Sequence, residues 1–264
     1  MDLGIAGKVA FVSGGSKGIG RATAEILARE GCLVVIAARG QTAIEEAVAA
    51  ITAAGGTATG VSADLTRQAD VERAVATATR AFGPADIAVA NVHGPGPGNF
   101  FDLSDTDFVD AFRQMTLSMV YLARAVVPHM REQGWGRLVN VGSGAAKEPP
   151  PELAHMLANA TRASVVTLNK SLANELGRYG ITVNTVGTGW IGTERMHDYV
   201  GKVAAERAPA PETLLGGFTS VIPAGRVGDP GEIAATIAFL CSRPAGYING
   251  EFINVDGGFH RSAW

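Results

Sequence analysis

Short apolar runs alternate with longer amphipathic stretches along nearly the whole chain. The first run, Val9 to Val12, is β-branched and aromatic and reads as a buried strand, followed by a helical pattern over Arg21–Arg29. Leu33–Ala38 is a second apolar run, ended by Arg39-Gly40; an alanine-rich helix over Thr42–Ala54 stops at Gly55-Gly56. Thr57–Ser62 reads as a strand, Ala69–Phe82 as a helix closed by Gly83-Pro84, and Asp86–Ala90 as a strand opening into the glycine- and proline-rich loop Asn91–Asn99. Ser104 starts a long helical stretch to about Met130, with Asp107 as its acidic first-turn partner. Gly136–Val141 and Ile181–Val186 read as strands on either side of a helix over His155–Tyr179. Gly192–Pro223 has mixed polarity and no clear strand, and the chain closes with a helix over Pro230–Cys241 and a strand over Glu251–Val255.

Strands alternating with helices long enough for parallel crossovers predict an α/β fold: one doubly wound domain over 1–264, with a seven-stranded parallel sheet. Ligands of such sheets bind beyond the carboxyl ends of the strands. The segments leaving those ends are 13–20, 38–40, 63–65, 90–99, 142–155 and 187–224, and they are expected to surround one cleft.

Composition narrows the classes. A hydrophobic fraction of 47% across 264 residues supports a sizeable core, and 34 glycines suit close helix–sheet contact. The net charge of −3 argues against a nucleic-acid partner. Cys32 and Cys241 lie far apart in apolar contexts and read as buried free thiols. No secretory leader and no membrane span is expected, and the expected setting is cytoplasmic. No metal site is expected.

Chemistry concentrates first at Val9–Gly20, VAFVSGGSKGIG. Glycines at a strand-to-helix corner permit a tight turn and let backbone N–H groups approach a phosphate, and the helix N-terminus behind them favours negative charge. The spacing is Gly14-x3-Gly18-x-Gly20, which differs from the commoner G-x-G-x-x-G pattern.

With these residues in view the chain resembles the short-chain dehydrogenase/reductases from end to end, among them the 3-oxoacyl carrier-protein reductase-like proteins. The resemblance rests on Ser13-Gly14-x3-Gly18-x-Gly20, on Asp64, and on Asp86–Asn91, where the usual Asn-Asn-Ala-Gly has become Ala90-Asn91-Val92-His93. It continues in GPGPGNFFDLSD, in KEPPP after Ser143, in Gly225–Pro230 and in Val255-Asp256-Gly257-Gly258. It implies a Rossmann-type domain whose cofactor contacts fall on Gly14, Ser16, Lys17, Gly18, Ile19, Gly20, Arg39, Asp64, Leu65, Asn91, Arg162, Gly189 and Thr193. At the end of the second strand an acidic residue would repel a 2′-phosphate. Here Ala38 and Arg39 stand there, with Lys17 in the glycine loop, so the expected cofactor is NADP(H).

The family's usual Asn, Ser, Tyr, Lys tetrad is largely missing. Anchored on Lys170-Ser171-Leu172-Ala173, the Tyr-x-x-x-Lys positions fall on Ala158 and Arg162, and the asparagine falls on Thr116. Ser143 remains, and no tyrosine occurs between Tyr121 and Tyr179. Four candidates carry the chemistry: Ser143, His155 one helical turn before Ala158, His93, and Arg162, which keeps its charge and suits a cofactor ribose or a substrate carboxylate or phosphate. Lys147 and Glu148 read as a solvated loop pair.

Gly189 and Thr193 keep the family's places near the nicotinamide although its proline has become Thr188, and 192–224 is the expected substrate lid, lined by Trp190, Met196, Tyr199, Leu214, Leu215 and Phe218. The expectation is an NADP(H)-dependent oxidoreductase interconverting a ketone and an alcohol on an apolar or acyl-type small molecule. A non-redox isomerase, dehydratase or cyclase on the same fold, and a catalytically silent subunit, remain open. The resemblance also implies a homotetramer or homodimer built through helices at about 104–131 and 155–179.

Overall fold

A computed structural model describes residues 1–150, 153–207 and 211–262. Seven parallel strands form one sheet in the order β3-β2-β1-β4-β5-β6-β7. They are β1 (Val9–Ser13), β2 (Leu33–Ala38), β3 (Thr57–Ser62), β4 (Ile87–Ala90), β5 (Gly136–Ser143), β6 (Ile181–Thr188) and β7 (Phe252–Val255). Between them run α1 (Gly18–Arg29), α2 (Gln41–Ala53), α3 (Gln68–Phe82), α4 (Asp105–Phe112), α5 (Ser118–Gln133), α6 (Met156–Leu176), α7 (Glu194–Arg207), α8 (Pro211–Ser220) and α9 (Pro230–Leu240).

Both faces of the sheet are covered, which is why its strands are nearly continuous apolar runs. Side chains alternate across it. Phe11, Val35, Ala88, Leu138 and Val183 pack on one face under α3, α5 and α6, with Val71, Met119 and Met130. Val12, Val34, Ile36, Val89 and Val139 pack on the other, with Leu27, Ile44, Ile233 and Ile237 of α1, α2 and α9. From β1 the chain winds outward to β2 and β3, then returns to pair β4 on the other side of β1. This reversal opens a crevice at the carboxyl ends of β1 and β4, where the glycine corner and Asn91 emerge.

Several boundaries move relative to the sequence reading. α1 begins at Gly18, ahead of its amphipathic pattern, so the glycine corner itself starts the helix. β5 and β6 run on to pair Ser143 with Thr188. The long helix after Ser104 is interrupted: its capping box with Asp107 is present, but a π-helical turn over Arg113–Leu117 separates α4 from α5. The segment Gly192–Pro223, in which no strand is legible, holds α7 and α8, whose period is masked by glycines at 201, 216 and 217 and by flanking prolines. Cys32 and Cys241 are buried and unbridged, with burial pushing Cys32 up to about 12. Among the described residues no helix is long and apolar enough to cross a membrane, and no group of three or more His, Cys, Asp or Glu side chains is placed to hold a metal.

Candidate active site

The corner between β1 and α1 is held tight by backbone contacts. The Gly14 N–H donates to the Ala37 carbonyl at 2.7 Å, and the Asn91 side-chain amide donates to the Gly14 carbonyl at 3.4 Å. Gly14 has φ of +60°, and a Cβ there would lie 2.4 Å from the Asn91 carbonyl oxygen. A Cβ on Gly20 would lie 2.2 Å from the Gly14 carbonyl oxygen. Lys17 is the N-cap of α1 but gives no side-chain cap, and the first turn has no acid, so the helix leaves its first N–H groups toward the crevice. With Ser16 beside them and Ile19 inside the first turn, this corner suits a pyrophosphate by its chemistry.

The two cations expected to read a 2′-phosphate differ. Arg39, just beyond β2, is exposed, and its guanidinium has no partner among the described residues. Lys17 is paired instead with Glu194 on the first turn of α7, Nζ to Oε2 2.6 Å. That contact raises the Lys17 pKa and lowers that of Glu194, although both side chains remain largely exposed. Thr193 sits against the same corner, its Cγ2 3.2 Å from where a Gly18 Cβ would be. Asp64 holds its own turn, accepting from the Thr66 N–H at 3.1 Å and hydroxyl at 2.8 Å, while Leu65 beside it is buried.

Across the crevice, the Ser143 hydroxyl accepts the Ala145 N–H at 3.3 Å and donates to no group among the described residues. Gly189 follows β6 against Asp256, whose Cβ would be 2.7 Å from a Gly189 Cβ. Thr116 lies in the π-helical turn and bonds Ser164 of α6 at 2.6 Å. Ser164 spends its own proton on the Thr161 carbonyl, so Thr116 is the donor. Ala158 is buried on α6. Lys147 is exposed on its loop, and the half-buried Glu148 accepts the Arg261 N–H at 2.8 Å.

His93, His155 and Arg162 come together, joined by a residue the sequence reading missed, Arg195. A Cβ on Gly94 would lie 3.1 Å from Arg162 Nη2 and 3.8 Å from Arg195 Nη2, so both guanidiniums arrive at one glycine. His155 is the N-cap of α6 and forms a parallel bridge with Gly98, which ties the Asn91–Asn99 loop to α6. Gln114 donates to the His93 carbonyl and ties the same loop to the π-helical turn. Burial, then Arg162, then Arg195 hold His155 below the ordinary histidine value. Burial is also the largest cause for His93, followed by Arg195, Arg39 and Arg162. Burial and then Arg195 bring Arg162 down to about 10.

An aromatic wall continues from His155, with the Tyr199 ring 6.1 Å away and Trp190 6.2 Å beyond it. Leu214 and Leu215 are half-buried on α8, and the Phe218 side chain lies outside the described residues. Met196, expected to line the cleft, is buried.

Residues 14–260 match the family model described as enoyl-(acyl carrier protein) reductase. The chain is 34% identical over 251 residues to the short-chain reductase protein NovJ of Streptomyces niveus, covering 95% of this chain and 93% of that protein. The chain belongs to the short-chain dehydrogenase/reductase family. Within this family it is 33% identical to the 3-oxoacyl-[acyl-carrier-protein] reductase FabG of Haemophilus influenzae, covering 97% of this chain and 99% of that one. The short-chain dehydrogenase/reductase fold is equally close in the crystal structure of L-sorbose reductase from Gluconobacter frateurii complexed with NADPH and L-sorbose. There the TM-score is 0.94 at 30% identity, covering 99% of this chain and 100% of that one.

Proposed function

We propose that the chain is an NADP(H)-dependent oxidoreductase interconverting a ketone and an alcohol on an apolar or acyl-type substrate, with a histidine standing in for the family's tyrosine. The observation that carries this reading is the intact corner: Gly14 and Gly20 leave no room for side chains where a dinucleotide phosphate must approach, and the end of β2 carries Arg39 and no acid. Relatives described as reductases, and a structural neighbour bound to NADPH, support it.

When bound, the cofactor supplies the hydride. Gly14, Ser16, Gly18, Ile19 and Gly20 line its phosphate contact at the start of α1, with Asn91 and Leu65 along the crevice. Arg39 takes the 2′-phosphate, with Lys17 once Glu194 releases it, while Gly189 and Thr193 flank the nicotinamide end. Ser143 donates a hydrogen bond to the substrate oxygen and keeps its proton. His155 gives that oxygen a proton in reduction and takes one back in oxidation. His93 adds a second imidazole on the loop facing α6. Trp190 and Tyr199 form the apolar wall, and 192–224 serves as the lid, closing where Thr193 and Glu194 meet the glycine corner. Val109 and Phe112 of α4 and Met156 of α6 are exposed, in keeping with a homodimer or homotetramer built on these helices.

The loss of tyrosine, lysine and asparagine together favours a second reading, non-redox chemistry on the same fold. Incubating the purified protein with NADPH and a panel of aryl and acyl ketones separates the two. The oxidoreductase consumes NADPH in proportion to the alcohol formed, whereas product without NADPH consumption replaces this reading with the second.

A further inference from the structure

Among the described residues Arg162 and Arg195 have no counter-ion. Neither makes a hydrogen bond or ion pair among the described residues, yet Arg162 is half-buried in the cleft. A charge withdrawn from water is costly unless paired, and guanidiniums inside proteins are normally met by carboxylates. The nearest acid in sequence, Glu194, is committed to Lys17 at 2.6 Å. Both guanidiniums come close to Gly94, whose backbone is not left-handed, so the missing side chain leaves open space between them and the loop.

We propose that Arg162 and Arg195 form an oxyanion recess at Gly94 that holds a carboxylate or phosphate group carried by the substrate. The proposal deepens the reductase reading and rests on it in taking this cleft as the substrate site.

The cofactor's own anions have other partners in that reading. Its pyrophosphate meets the start of α1, its 2′-phosphate meets Arg39, and its riboses are neutral. Two forked guanidiniums suit an oxyanion accepting several charge-assisted hydrogen bonds. The adjoining Tyr199 and Trp190 rings suit an apolar body on the same molecule. The substrate class is therefore an apolar ketone or alcohol bearing an oxyanion, of which an aromatic keto acid is the simplest.

The recess also bears on His155. Among the described residues the charged groups facing it are Arg162 and Arg195, those facing His93 are Arg195, Arg39 and Arg162, and none of these is a carboxylate. An oxyanion between the arginines cancels part of this positive field and raises both histidines toward their ordinary value.

The test is calorimetric titration of the full chain, alone and with NADPH, using phenylpyruvate, its methyl ester and inorganic phosphate. Histidine ring resonances are followed in parallel by NMR. Phenylpyruvate is expected to bind at least about tenfold tighter than the ester and to move the His155 titration upward. Arg195→Gln abolishes both effects and Arg195→Lys restores part of them. Arg195 makes no bond among the described residues and lies exposed on α7, so these variants keep the fold. Phosphate binding without discrimination between acid and ester assigns the recess to a phosphate. Equal affinity for acid and ester with no phosphate binding, or affinities unmoved by Arg195→Gln, overturns the proposal. Failure to bind NADPH in the same titrations counts against the reductase reading alone, because oxyanion binding is read without cofactor.

Discussion

Replacing His155 by alanine is expected to lower ketone reduction by about 10²–10⁴-fold, the usual worth of a positioned general acid. The proposed reading puts Ala158 and Arg162 where the family's tyrosine and lysine would stand, which makes the imidazole the group there able to exchange a proton near neutrality. Burial and the two arginines lower its pKa. In the free enzyme the ring is therefore mainly neutral at neutral pH, and kcat/KM for reduction falls as pH rises through a value lower than that of an ordinary histidine. With an oxyanion substrate bound, the same limb in kcat moves to higher pH, because kcat reports the complex. Paired pH profiles of native protein and His155→Ala check this. A variant with unchanged turnover and an unchanged acid limb removes His155 from the mechanism.

Replacing Gly14 by alanine is expected to reduce NADPH affinity by about 100-fold. The left-handed backbone costs about 1–2 kcal/mol with a side chain present. The added methyl, 2.4 Å from the Asn91 carbonyl oxygen, costs about 1–3 kcal/mol more as strand and corner separate. Some of this appears as lower thermal stability. The part that displaces the N–H groups at the start of α1 appears in binding, where about 3 kcal/mol is a factor of about 100. Gly201→Ala is the control, since nothing lies within 4 Å of a Cβ there. Fluorescence titration of the two variants separates a local defect at the corner from a general effect of adding a methyl. Equal affinities for NADPH would show that the corner does not receive the phosphates.

What was legible in the sequence follows from the range of the interactions involved. Leu33–Ala38 and Thr57–Ser62 are bounded in the structure as in the sequence because the local signals suffice: a β-branched apolar run stopped by Arg39-Gly40 for the buried β2, and a threonine- and valine-containing run after Gly55-Gly56 for the half-exposed edge strand β3. The Ser104–Asp107 cap was legible for the same reason, being three residues long. The π-helical turn at Arg113–Leu117 was not, since one extra residue per turn barely changes the apolar pattern. The Lys17–Glu194 pair joins residues 177 apart, and no local pattern could announce it. Arg195 carries no local signal either, because its significance comes from meeting Arg162 across the cleft. Arg162, by contrast, was visible once the helix was aligned on Lys170.

The most direct test of this account is a calorimetric titration of the native protein with NADPH and NADH. One charge-assisted partner for the 2′-phosphate is worth about 1.5–3 kcal/mol, so NADPH is predicted to bind about 10–100-fold tighter than NADH, with Arg39→Ala removing most of that preference. Equal binding of the two, or binding of neither, would contradict the account.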